Sequence, residues 1–314
     1  MRIAQRHTVV LLKKNESMQK IINVITNPKP YLIIIVRKLV HILPKRTYLK
    51  LIFYLSLGYK LNLNKPETFN EKLQWLKLNR KSDIDTLLVD KYEVKKILSK
   101  KFGGEYIIPT YGVYEKFDDI DFEELPNEFV MKTTHQSGGV IICRNKRLLD
   151  LKSAKAIINN KLKKNLYYWG LEWPYKNVKP RIIIEKYIGH GNEDVKDYKL
   201  MCFNGKVKCS FVCTERYSKG GLHINFYDND WNLMPFTRHY PNDPQLTPKP
   251  LNYDLMVKLA EDIAKDIPFV RIDFYEVHNK LYFGEITFYP ASGLSPFNPE
   301  IYDRIFGDLL HLVN

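Results

Sequence analysis

The stretch from Phe269 to Phe288 constrains this chain more than any other. Phe269-Val-Arg-Ile-Asp-Phe-Tyr275 and Leu281-Tyr-Phe-Gly-Glu-Ile-Thr-Phe288 both alternate and are rich in aromatic and β-branched residues. With Glu276-Val-His-Asn-Lys280 between them they predict a β-hairpin. A turn centred on Asn279 sets Asp273 opposite Glu285 and Arg271 opposite Thr287, with all four on one face. Val270, Ile272, Phe274, Ile286 and Phe288 form the core side, which fixes the register, because a slip of one residue inverts every side chain. Two carboxylates directly across an antiparallel pair are unfavourable by roughly 0.2–1 kcal/mol. Two arrangements offset this. A hard cation such as Mg2+ binds one or two carboxylates together with substrate phosphates. Alternatively, Arg271 neutralises both acids on a solvated face.

The chain of 314 residues, 45% of them hydrophobic, is long enough to bury a sizeable core. Its formal charge of +14 is uneven: residues 1–65 hold thirteen Lys or Arg and a single acid, Glu16. The remaining residues, 36 basic against 34 acidic, are nearly neutral. The basicity therefore belongs to an N-terminal extension, and no nucleic-acid partner is expected, since that would need a basic face on the folded body. Cys143, Cys202, Cys209 and Cys213 lack paired metal spacing, and the last two sit in an apolar alternating run that suits core packing. Val9-Val-Leu-Leu12 is too short for a secretory signal core, so the expected setting is cytoplasmic.

Residues 1–63 form the extension. Tyr31-Leu-Ile-Ile-Ile-Val36 and the run from Tyr48 to Leu57 are apolar with basic flanks, and too short to span a bilayer. Such helices can lie on an anionic membrane surface or dock on the protein's own core, and the sequence leaves both open. In residues 64–128, a helix enters near Thr68 or Asn70, and a second runs from about Ile84 to Lys100, stopped by Gly103-Gly104. Ile107 to Tyr114 follows as a strand, then an acidic turn over 118–125. Residues 129–188 form a small lobe: strand Phe129-Val-Met-Lys132, a polar loop to Gly139, strand Val140-Ile-Ile-Cys143, a helix over 153–165, and strand 180–188. Backbone N–H groups of the glycine loop can cradle an anion with Lys132 beneath, although a Ser-Gly-Gly turn is also common in plain hairpins. Residues 189–314 form a large lobe, with a hairpin turning at Asn204-Gly205, an irregular stretch over 216–250 that could act as a flap, a helix over 254–265, and the opening hairpin.

Together these segments resemble the ATP-grasp superfamily, and within it the TupA-like group linked to bacterial polysaccharide and teichuronopeptide synthesis. The resemblance covers roughly residues 64–298. It implies an α+β fold in which two lobes clasp ATP. Asp90-Lys-Tyr-Glu-Val-Lys95 resembles the first basic motif, making Lys95 a phosphate contact. Lys132 with His135, Gln136, Ser137, Gly138 and Gly139 resembles the second lysine and its phosphate-covering loop. Ile184-Glu-Lys-Tyr-Ile188 resembles the strand between the lobes, which implies adenine binding by Glu185, Lys186, Tyr187 and Ile188. Glu193 or Asp194 would hold the ribose. Asp197-Tyr-Lys199 resembles the start of the second sheet, with Lys199 at phosphate. Arg271-Ile-Asp273 and Glu285-Ile-Thr287 resemble the metal-binding hairpin, with Asp273, Glu285 and Thr287 as ligands. Thr287 replaces the commoner asparagine and is a weaker donor.

The resemblance implies a ligase in which a substrate carboxylate attacks ATP with Mg2+, an acyl phosphate forms, and an amine displaces phosphate. Arg271 would stabilise the phosphoryl group or tetrahedral intermediate, since its planar fork matches oxyanions. The expected partners are a sugar carboxylate on a polysaccharide precursor, for capsule, O-antigen or teichuronopeptide, and an amino acid or amine, at the inner face of the plasma membrane. The alternative is a glycosyltransferase, whose warrant would be a D-x-D motif at Asp119-Ile-Asp121 or Asp228-Asn-Asp230.

Overall fold

The computed structural model describes residues 26, 28–189, 195–214 and 221–312. The chain divides into two compact units, residues 1–61 and 62–314. In the first, Lys29–Lys38 (α1) and Lys45–Leu57 (α2) are helices joined by a 3-10 turn, and α2 ends at Gly58 in a left-handed conformation.

The second unit begins with helix Phe69–Asn79 (α3). Thr68 accepts from the Glu71 N–H while the Glu71 carboxylate receives the Thr68 N–H, a capping box that fixes the start where the sequence placed it. The expected single helix from Ile84 to Lys100 is instead two, Asp83–Val89 (α4) and Glu93–Phe102 (α5). The break is chemical: the Asp90 carboxylate accepts the N–H groups of Tyr92 and Glu93, and the Lys91 N–H is drawn away to the Thr134 carbonyl.

Two antiparallel sheets carry the rest. The smaller has the order β1-β4-β2-β3, from Thr110–Tyr114 (β1), Phe129–Thr133 (β2), Ile141–Cys143 (β3) and Ile182–Lys186 (β4). Its first strand is shorter than expected and lies upstream of the boundary at residue 129. Phe129, Met131, Ile182 and Ile184 pack with Ala154 and Ile158 of helix Leu151–Leu162 (α6). Period-two alternation therefore turns Lys132 and Glu185 to the opposite face.

The larger sheet has the order β10-β9-β5-β6-β7, from Asp197–Phe203 (β5), Lys206–Thr214 (β6), His223–Tyr227 (β7), Phe269–Val277 (β9) and Lys280–Thr287 (β10). Strand β7, together with Thr237–Arg238 (β8) paired to Phe297–Asn298 (β11), corrects the expectation that residues 216–250 are irregular throughout. Helix Tyr253–Ala264 (α7) covers one sheet face, where Leu200, Cys202, Val270 and Ile272 are fully buried.

The β9–β10 hairpin forms, but its turn is the two-residue His278–Asn279, at φ of 49° and 60°, and is not centred on Asn279. Such a turn matches the strand twist. Near it Phe274 faces Phe283, while further along Ile272 faces Ile286, so β10 holds one extra residue at Gly284–Glu285. This bulge restores the expected pairing of Arg271 with Thr287. It also leaves little room at Gly284, where a Cβ would stand 3.0 Å from the Asp273 carbonyl oxygen.

Candidate functional site

The polar face of the large sheet is set by register. Lys199 pairs with Asp273 across β5 and β9, and Met201 pairs with Arg271. The Arg271 guanidinium donates to both Asp273 oxygens at 2.7 Å and to Glu285 at 2.9 Å, so one planar fork spans both hairpin acids. Lys199 is buried against Asp273 and lies 2.5 Å from Asp197. Burial alone would lower the Lys199 ammonium, yet Asp197 and Asp273 outweigh it and raise its pKa. Burial raises the Asp273 carboxyl above its ordinary value, with Arg271 and Lys199 pulling against that rise. Burial also opposes ionisation of Glu285, but Lys91, Arg271 and Lys199 bring it down to about 2.

The small sheet has its own cluster. Lys132 lies 2.6 Å from the buried Glu185 carboxylate, and Lys95 of α5 contacts its other oxygen. Lys95 also donates to the Ile108 carbonyl at 2.7 Å. Burial lowers the Lys95 pKa against the pull of Glu185, and the two lysines together hold Glu185 ionised despite its burial. Arg181 fixes α5 to this sheet through Asp90 at 2.6 Å and Glu93 at 2.9 Å, which aims Lys91 and Lys95.

Lys91 ties the loop that follows β2 to the large-sheet cluster. Its ammonium donates to the Gln136 carbonyl at 2.9 Å and lies 3.5 Å from Glu285. The loop it holds is tied to α6 and the residues just after it: His135 Nε2 donates to the Lys164 carbonyl at 2.9 Å, the Gln136 amide donates to the Lys161 carbonyl, and Lys161 donates to the Ser137 carbonyl at 3.1 Å. Gly138 and Gly139 both take positive φ, of 74° and 68°. A Cβ at Gly139 would come within 2.7 Å of Lys161 Cγ, so the close approach needs glycine there.

Of the residues expected from the sequence, the structure thus gathers Lys95, Lys132 and Glu185 in one cluster and Lys199, Arg271, Asp273 and Glu285 in the other, with Thr287 beside Arg271. Three expectations change. The His135 and Gln136 side chains are committed to carbonyls of Lys164 and Lys161 and so are not offered to a phosphate. Glu185 is the counter-charge of two lysines, not an isolated adenine contact. Lys186 is exposed on the face opposite Glu185, with its N–H bonded to the Pro109 carbonyl at 2.9 Å. Tyr187 lies under the Arg144 guanidinium, 5.3 Å from its ring centroid, and Ile188 follows it. Glu193 and Asp194 lie outside the described residues.

Sequence reasoning missed Lys91, which reads as one charge in the solvated run Asp90–Lys96. It also missed Asp197, although that residue opens the motif containing Lys199. A further missed group lies at Ser292, where Lys77 donates to the Ser292 hydroxyl and carbonyl at 2.8 Å beside buried Glu172. Ser292 has φ of 56° and follows the β9–β10 hairpin by only five residues. No signal in the sequence marks that meeting of three distant segments. Neither D-x-D joins the site. Asp119 and Asp121 are exposed at a 3-10 turn, and the Asp228 carboxylate is occupied by the Asp230 and Asn232 N–H groups of its own turn.

Asp273 and Glu285 fit a magnesium ion. Both present hard oxygens within the span of one guanidinium, and no set of three or more metal-binding side chains occurs among the described residues. Two carboxylates completed by phosphate oxygens suit Mg2+, which seldom takes an all-protein cage.

The body is α+β, with helices packed on two antiparallel sheets. The model of the TupA-like ATPgrasp family matches residues 71–311, and the chain belongs to that family. No curated protein matches it. Solved structures similar to it include D-alanine–D-alanine ligase from Bacillus anthracis complexed with ATP, at 17% identity, 64% of this chain, 55% of that chain and a TM-score of 0.39. The corresponding enzyme from Helicobacter pylori gives 16%, 77%, 69% and 0.40. L-amino acid ligase from Bacillus licheniformis gives 13%, 72%, 50% and 0.41. The match thus spans little more than half of the first of these ligases, and the family membership rests on the family model alone.

Proposed function

We propose that this chain is an ATP-dependent carboxylate–amine ligase. The observation that carries the reading is the pair of ionic clusters, cation-rich on the small sheet and acid-rich on the large one, with Lys91 tying the loop after β2 to Glu285 and Lys132 among the cations that lower the Glu285 pKa. ATP with Mg2+ would supply phosphoryl transfer to a substrate carboxylate under Lewis-acid neutralisation. Lys95 and Lys132 would bind phosphate oxygens by exchanging part of their pairing with Glu185, and Lys199 would neutralise charge from the opposite sheet. Asp273 and Glu285 would hold the metal, with Thr287 at their edge. Arg271, raised in pKa because Asp273 and Glu285 outweigh its burial, stays charged and would face the oxyanion that develops when the amine attacks. Lys91 would couple closure of the glycine loop to the metal acids. The strand end at Lys186, Tyr187 and Ile188 would line the adenine side.

The substrates proposed are a sugar carboxylate on a surface-polysaccharide precursor (capsule, O-antigen or teichuronopeptide) and an amino acid or simple amine. The setting is the cytoplasm, at the inner face of the plasma membrane. Thermal-shift measurements with ATP and Mg2+ against nucleotide sugars test the class. Stabilisation by Mg2+-ATP, and phosphate release that requires both a uronic acid and an amine, are expected. Stabilisation by a nucleotide sugar and not by ATP would overturn the ligase reading.

A further inference from the structure

The helical unit of residues 29–60 has apolar side chains on two sides. Tyr48, Leu49, Ile52 and Phe53 of α2 recur at helical spacing and are buried, as are Val36 and Val40. That accounts for one stripe. Ile34 and Ile35 of α1 remain 52% and 53% exposed, Tyr54 of α2 remains 52% exposed, and Ile42, at the bend between the helices, is 75% exposed. Cations surround the bend: Lys38 ends α1, and Lys45 and Arg46 begin α2, all exposed. No acidic residue occurs between Glu16 and Glu67. No helix among the described residues is long and apolar enough to cross a membrane.

We infer that this helical pair docks on an anionic bilayer surface, with Ile42 and the Ile34–Ile35 side entering the headgroup boundary while Lys38, Lys45 and Arg46 meet lipid phosphates. The charge pattern selects this occupant. A protein groove would take the isoleucines but would not call for an acid-free ring of cations, and nucleic acid would take the cations but would leave the isoleucines in water. Lipid headgroups above hydrocarbon satisfy both at once. Neither signal is sufficient singly, since stable attachment to a bilayer generally needs an apolar element and a basic patch together.

The inference is independent of the ligase chemistry, and its test reads binding alone. The full chain is sedimented with phosphatidylcholine vesicles prepared with and without phosphatidylglycerol. Co-sedimentation is expected only with the anionic lipid, and should fall steeply with added salt. Lys45→Glu with Arg46→Glu, and separately Ile35→Ser with Ile42→Ser, should each weaken it about tenfold or more. These side chains are exposed, so the variants should keep the melting temperature of the parent chain. No sedimentation, equal sedimentation with neutral lipid, or full binding by either variant overturns the proposal. So does salt-independent self-association that Ile42→Ser abolishes.

Discussion

The two sheets solve the same problem with opposite signs. Each holds ionised groups in a buried position, where a charge left without a partner is costly. On the small sheet Lys95 and Lys132 share one acid, Glu185, leaving one positive charge in excess. On the large sheet Lys199 and Arg271 face Asp197, Asp273 and Glu285, and the third negative charge is met only by Lys91, 3.5 Å from Glu285. Phosphate would offset the excess on the small sheet, and a divalent cation would join Lys91 at the acids of the large one. Lys91, reaching from the α4–α5 break, also donates to the Gln136 carbonyl and so links the loop after β2 to Glu285.

Removing the shared acid should disturb this contrast most. Glu185→Gln leaves two half-buried ammonium groups facing each other, and breaking a buried ionic cluster typically costs about 3–5 kcal/mol. A large fall in melting temperature, partly reversed by tripolyphosphate, is expected in a thermal-shift assay, and an unchanged melting temperature would show that the lysines do not depend on Glu185. Arg271→Met acts on the other sheet. Turnover, read as ADP formation, should fall about 100- to 1000-fold, as when one oxyanion donor is lost, while affinity for ATP without metal stays near that of the parent.

A smaller effect sharpens the role of the bridge. The Glu285 carboxyl is held at about 2 in the folded chain against an ordinary value of 4.5. Its contribution to stability is therefore complete above the ordinary value and is lost as pH falls toward 2. Lys91→Met removes the most influential of the cations acting on it, so the midpoint of acid unfolding should move to higher pH, with little change near neutrality. Thr68→Ala serves as the reference, since its capping box lies in neither cluster. It should cost about 1 kcal/mol in chemical denaturation and leave nucleotide binding untouched.

The hairpin was legible because its two strands alternate cleanly and differ in chemistry between faces. Its pairing of Arg271 with Thr287 was found for an incomplete reason. A two-residue turn at His278–Asn279 and a bulge at Gly284–Glu285 compensate each other, and a glycine inside a strand was the available sign of the second. The break at Asp90 was hidden because an acid that caps a helix looks the same in sequence as one on its surface. Strand β7 was hidden among prolines and glycines, since five residues give too little periodicity to stand out. Lys91 and Ser292 were the least legible, because each acquires its meaning from segments far away in the chain. Glu185 stood out at the end of an apolar run, but sequence alone could not show that two lysines from different elements would close on it.

The most direct measurement is a calorimetric titration of ATP, with and without Mg2+, into the parent chain, Lys132→Met and Glu285→Gln. Lys132→Met should weaken binding under both conditions, and Glu285→Gln should remove only the gain that Mg2+ provides. If Glu285→Gln weakened metal-free binding as much as Lys132→Met, or if neither substitution altered ATP binding, the division of labour between the two sheets would be wrong.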